Sequence, residues 1–166
     1  MNHSTQIRNV LIVPSLTSGQ APFQGWLEIR DGVIAAIGKG RCDRPLCDEI
    51  IDGEGAALIP GLHNLHAHSH SSLTRGSAEG AGLEEWISMV EDEQQNLTEE
   101  EAYVGALATY SEALLSGTTT IMDMCLFPEA AYAAADKLGI RAIIAPYAAD
   151  TKPFAPTLEP HSGFMI

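Results

Sequence analysis

The run Leu58-Ile59-Pro60-Gly61-Leu62-His63-Asn64-Leu65-His66-Ala67-His68-Ser69-His70 constrains this chain more than any other stretch. It holds four of the six histidines. Residues 56–66 read as an apolar strand interrupted by Pro-Gly. His66 and His68 are two apart, and in a strand such side chains leave the same face, about 6–7 Å apart along the axis. Neutral imidazole suits zinc, iron, nickel or copper, and a divalent metal held by histidine makes water a nucleophile near neutral pH. A structural histidine cluster is the competing reading; the flanking Pro60-Gly61 and Asn64 favour the metal. His63 falls on the opposite face and is expected to pack under helices. His70 keeps phase with the pair but lies past the expected strand end, either lining the mouth of a site or solvated.

Before this run, residues 6–13, 25–30, 33–37 and 49–51 read as short strands. Asp31-Gly32 is a hairpin signal and Asp52-Gly53 a turn, so the expectation is a small antiparallel β module. After the histidines, Leu83, Trp86, Ile87 and Val90 recur at helical spacing, backed by a solvated acidic face of Glu84, Glu85, Glu91, Asp92 and Glu93. Thr98-x-x-Glu101 is a capping box that opens a second helix. Tyr103, Leu107, Tyr110 and Leu114 mark its buried stripe, small Gly105, Ala106 and Ala108 permit close packing, and Gly117 ends it. Residues 118–123 form a strand, Pro128 starts a third helix, Gly139 closes it, and residues 140–145 form another strand. This β-α-β-α-β order predicts an α/β fold with parallel strands and crossover helices, as in the opening of a (β/α)8 barrel. Residues 151–166, with Pro153, Pro156, Pro160 and Gly163, read as an irregular tail.

The chain has 166 residues, enough for a domain with a core but short of the roughly 250 of a complete (β/α)8 barrel. Its net charge of −13 argues against nucleic acid or an anionic membrane as a partner. Cys42, Cys47 and Cys125 read as reduced thiols. With no secretion signal and no apolar run of about 20 residues, a cytoplasmic location is expected. Barrel enzymes carry their chemistry at the C-terminal ends of strands. That makes Asp123 a substrate-side candidate, with capping of a loop as the alternative. Cys125 has no base tied to it, and His3 and His161 fall near the ends. No phosphate loop is present, and no His-x-Glu with Pro-Cys-x-x-Cys zinc pattern.

Asp52-Gly53-x-Gly55 followed by Leu58-Ile59-Pro60-Gly61-Leu62-x-Asn64-x-His66-x-His68 resembles the first strand of the amidohydrolase superfamily. The closer likeness is to its cytosine/guanine/S-adenosylhomocysteine deaminase and triazine hydrolase branch. Leu73-x-Arg75-Gly76, Trp86, Ser116-Gly117-Thr118-Thr119-Thr120, Asp123-Met124 and Leu138-Gly139-Ile140-Arg141-Ala142 are similar to later landmarks, so the match covers residues 6–150. His63 departs from the aliphatic residue usual there. The resemblance implies half of a composite β-sandwich over residues 1–57, the first β/α units of a TIM barrel over 58–150, and a barrel left incomplete in a chain that looks truncated. It implies a metal-dependent hydrolase of carbon–nitrogen bonds other than peptide bonds. In that scheme His66 and His68 hold one divalent metal, zinc or alternatively iron, and metal-activated water deaminates a small aminated heterocycle. His70 and Asp123 are substrate-side candidates. The remaining ligands and the acid/base residues are expected beyond Ile166, supplied in an unfinished site by a second copy or a complementing C-terminal chain. A ring chlorohydrolase is the alternative enzyme; a non-catalytic metal- or partner-binding remnant is the alternative of another class.

Overall fold

The computed structural model describes residues 3–15, 19–45, 47–147 and 164–165. The chain divides into two compact units, Met1–Pro60 and Gly61–Ile166.

The first unit is one sheet. β1 (Ser4–Ile12), β2 (Phe23–Arg30), β3 (Val33–Lys39) and β4 (Glu49–Asp52) lie in the order β3-β2-β1-β4, and β5 (Ala57–Leu58) also pairs with β1. The β2–β3 hairpin turns at Asp31 and Gly32, whose φ values of 50° and 78° are both positive, as a turn matching the strand twist demands. The expected antiparallel module is a mixed sheet, because β4 and β5 run parallel to β1. The polar segment 40–48 explains the difference: it is long enough to carry the chain back along the sheet before β4 begins, which a tight turn could not do. Asp48 anchors its end, accepting from the Ser4 backbone at 2.8 Å and the Ser4 hydroxyl at 2.7 Å. Trp26 and Leu27 are buried with Val10 and Ile12, and so are Gln6 and Glu28.

The second unit is a sheet in the order β6-β7-β8-β9, covered by helices. β6 (Leu62–Ala67), β7 (Thr118–Cys125) and β8 (Arg141–Pro146) are parallel. A 3-10 turn (Ser69–Thr74), α1 (Leu83–Gln95) and α2 (Glu99–Leu115) connect β6 to β7, and α3 (Pro128–Leu138) connects β7 to β8. The fold class is thus mixed α/β, as expected. Residues 151–163 of the expected irregular tail lie outside the described residues. Phe164–Met165 instead form β9, antiparallel to β8. Among the described residues no helix is long and apolar enough to cross a membrane.

Helix ends follow their local chemistry. Thr98 and Glu101 form the reciprocal cap of α2, Pro128 opens α3, and Gly139 closes it at φ 69°. The core joins Ala106 and Tyr110 of α2, Ile121 and Cys125 of β7, Ala131, Ala134 and Ala135 of α3, and Ala142 and Ile144 of β8. The helical side chains are small, so the backbones of α2 and α3 pack close to the sheet.

Two further expectations need correction. The apolar run 56–66 is not one strand: β5 belongs to the first sheet and β6 to the second, and the break falls at Pro60-Gly61, where proline offers no N–H to a ladder. The buried face of α2 is Ala102, Gly105, Ala106 and Tyr110, while Leu114 is exposed, because small residues allow the closer approach. The apolar stripe of α1 lies on a helix as read, but no residue of α1 is buried, and Trp86 is 45% exposed.

Candidate metal centre

The site is built where β6 runs out. Every residue of β6 up to His66 is exposed, so His63 does not pack under helices. Its ladder with β7 is irregular, with register shifts between Leu62 and His63 and between Asn64 and Ala67. Side chains take over where the ladder lapses. Asn64 Oδ1 accepts from the His66 backbone N–H at 3.1 Å. His68 Nδ1 lies 3.0 Å from the Met124 carbonyl oxygen. A carbonyl only accepts, so Nδ1 carries the proton and the Nε2 lone pair is left over.

The His66 and His68 rings stand nearly perpendicular, 88° apart, with centroids 4.8 Å from each other. Two imidazoles this close present nitrogens that one ion can reach. A histidine whose other nitrogen donates to a backbone carbonyl has the usual arrangement of a metal ligand. The pair therefore fits a divalent metal as two of its ligands. Catalytic zinc takes three protein ligands plus water. Among the described residues no group of three or more His, Cys, Asp or Glu is arranged to hold a metal; His161 lies outside them.

His70 is buried rather than solvated. It sits in the 3-10 turn, 1% exposed, 6.2 Å from His68 between ring centroids. The Gln94 amide donates to Ser71 Oγ at 3.3 Å and faces His70 Nε2 at 3.0 Å. His70 Nδ1 is buried without a hydrogen-bond partner. Burial pushes the His70 pKa down to about 4, against the pull of Asp123 and with a lesser push from His68, so this imidazole is neutral at pH 7.

Asp123 is fully buried, and its carboxylate binds the turn that follows β6. Its Oδ1 accepts the Ser69 backbone N–H at 3.0 Å, and its Oδ2 accepts the Ser69 hydroxyl at 2.5 Å and the Tyr110 hydroxyl at 2.6 Å. Burial and the adjacent carboxylate push the Tyr110 phenol far above its usual range, which keeps it a donor. The neighbouring Cys125 thiol is raised too, chiefly by burial, and is no nucleophile.

Beside His68 opens a cavity of about 570 Å³, lined among others by Ser71, Trp86, Gln94, Met124 and Tyr147. That volume is within the range of small-molecule pockets. Sequence reasoning missed Ser69 and Gln94; it read Tyr110 as core, where it lies, without its bond to Asp123. The polar tip of Tyr110 was the available signal, because a buried Tyr seeks an acceptor.

The chain matches the amidohydrolase family over residues 57–163. It is 35% identical to the 5-methylthioadenosine/S-adenosylhomocysteine deaminase of Syntrophomonas wolfei over 138 residues, 82% of this chain and 32% of that protein. The chain thus spans about a third of the length of this curated relative. Its structure resembles that of an adenosine deaminase from Xanthomonas campestris with bound zinc, at a TM-score of 0.77 and 25% identity over 85% of this chain and 33% of that one. It also resembles an atrazine chlorohydrolase from Arthrobacter aurescens complexed with zinc, at 0.75 and 26%, covering 86% of this chain and 35% of that one. With the family match running from β5 through the histidine strand and on past β8, the chain belongs to the amidohydrolase family.

Proposed function

We propose that this chain carries the metal-binding opening of an amidohydrolase barrel and serves the hydrolytic deamination of an aminated heterocycle. The observation that carries the reading is the His66–His68 pair, 4.8 Å apart between centroids, with His68 set by its bond to the Met124 carbonyl. His66 and His68 hold one divalent metal, zinc by analogy with the solved relatives. A bound ion of this kind supplies Lewis acidity and makes water nucleophilic near neutral pH. Further ligands come from outside the described residues or from a neighbouring chain. The cavity beside His68 takes the substrate, with Trp86 offering a flat apolar wall to a ring and Gln94 an amide. Residues 58–150 are the first β/α units of the barrel, and residues 1–57 are half of a composite β-sandwich.

The substrate class is a purine nucleoside. The curated relative at 35% identity is named a 5-methylthioadenosine/S-adenosylhomocysteine deaminase, whereas the chlorohydrolase likeness rests on 26%. The test is a zinc titration of the full chain and its variants, followed by an assay for ammonia release from 5-methylthioadenosine. His66→Ala and His68→Ala are expected to abolish zinc binding, and His3→Ala to leave it intact. Equal zinc uptake by all three variants would overturn the assignment.

A further inference from the structure

We infer that Asp123 is the positioning residue of this centre, clamping the turn after His68 onto β7 so that the His68 ring is presented with Nε2 free. The inference rests on the reading of His66 and His68 as ligands. The argument starts from the ladder. The β6–β7 register shifts between Asn64 and Ala67, and the last pair is Ala67 with Asp123, so main-chain pairing stops one residue short of His68. Two side-chain links replace it. The Asp123 carboxylate takes both the N–H and the hydroxyl of Ser69, one residue after His68. The next residue of β7, Met124, accepts the His68 Nδ1–H on its carbonyl. His68 is thereby tied to successive residues of β7, through its ring at one and its following peptide at the other. Tyr110 of α2 adds a third donor to Asp123 and fixes the carboxylate from the helix side.

A carboxylate accepts all three of these bonds at once. All three facing groups donate to the carboxylate; an amide at position 123 keeps one acceptor oxygen and turns its NH2 toward a hydroxyl, which must then rotate to accept and give up its own bond to position 123. Ser69 would then lose a partner, the turn would loosen, and the His68 ring would slip from the Met124 carbonyl. Loss of such an outer partner costs metal sites about 10–100-fold in affinity.

The experiment compares full-length wild type, Asp123→Asn and Ser69→Ala, labelled with 15N-histidine. Long-range proton–nitrogen spectra at mildly alkaline pH report the His68 tautomer, assigned by its loss in His68→Ala. Zinc affinity is measured by chelator competition, and far-UV circular dichroism checks the fold. Wild type is expected to show a single Nδ1–H tautomer. Asp123→Asn is expected to average the two tautomers and bind zinc about 10–100-fold more weakly. Ser69→Ala deletes only a hydroxyl, leaves the buried carboxylate in place, and is expected to shift His68 in the same direction by less; it decides the matter if Asp123→Asn does not fold. A folded variant that keeps the wild-type His68 tautomer and zinc affinity overturns the inference. Failure of wild type to bind zinc, with the tautomer still dependent on Asp123, overturns the metal reading and leaves the positioning role standing.

Discussion

Gly105 has no side chain, and the space for one is already taken. A Cβ built there would lie 2.9 Å from the Ser69 carbonyl oxygen and 3.2 Å from Ser72 Oγ. Ser72 Oγ in turn donates to the Gly105 carbonyl at 2.8 Å. Glycine thus lets α2 come down onto the turn that follows the histidines. An ordinary helical Gly→Ala change gains about 1 kcal/mol, but overpacking a tight site costs about 1–3 kcal/mol. Here the neighbour is backbone and cannot swing away, so the cost wins. Gly105→Ala is expected to be destabilising, by about 1 kcal/mol in urea denaturation; a stabilised variant would contradict the close approach. None of this was legible in sequence beyond the remark that small residues permit close packing. His66 and His68 stood out because their spacing is local. The work of Asp123, Ser69 and Tyr110 did not, because it arises only when residues 54 and 13 positions apart in the chain meet.

Elements whose ends carry their own chemistry were the readable ones. The Thr98–Glu101 box and the Pro128 start with Gly139 stop define α2 and α3 in the structure as in the sequence. Hydrogen bonds from the Thr98 backbone and hydroxyl hold the Glu101 carboxyl below its usual range. A depressed folded-state value means stability that is present above the ordinary glutamate range and is lost as pH falls from there through the lowered folded-state value. Thermal melts across an acid series should show wild type losing its advantage over Glu101→Gln as the carboxylate protonates. Thr98→Ala should cost about 1 kcal/mol at neutral pH, read from the urea midpoint. Elements decided by their neighbours were less readable. The stripe on α1 has helical period, yet nothing buries it, because periodicity gives a face and not what covers it. The parallel pairing of β4 depends on where segment 40–48 travels, which no local signal records.

At the scale of the whole molecule, β6 is an end strand of the second sheet among the described residues, and Leu65 on it is 66% exposed. An apolar edge strand is a template for pairing with other chains. Leu65→Lys is expected to reduce self-association in light scattering while zinc uptake by His66 and His68 is preserved; unchanged association would show that the edge is not the sticky surface. The α/β class and the family were legible because they rest on the order of elements and on one short motif, both properties of the chain itself. The partition of residues 56–67 between two sheets was not, since it turns on which strands lie alongside. The bond that sets His68 has a further consequence. Its acceptor is main chain, so it survives any residue at position 124, while the side chain there forms part of the cavity wall. Position 124 is therefore a place where ligand preference can drift, in evolution or by engineering, without disturbing the histidine behind it.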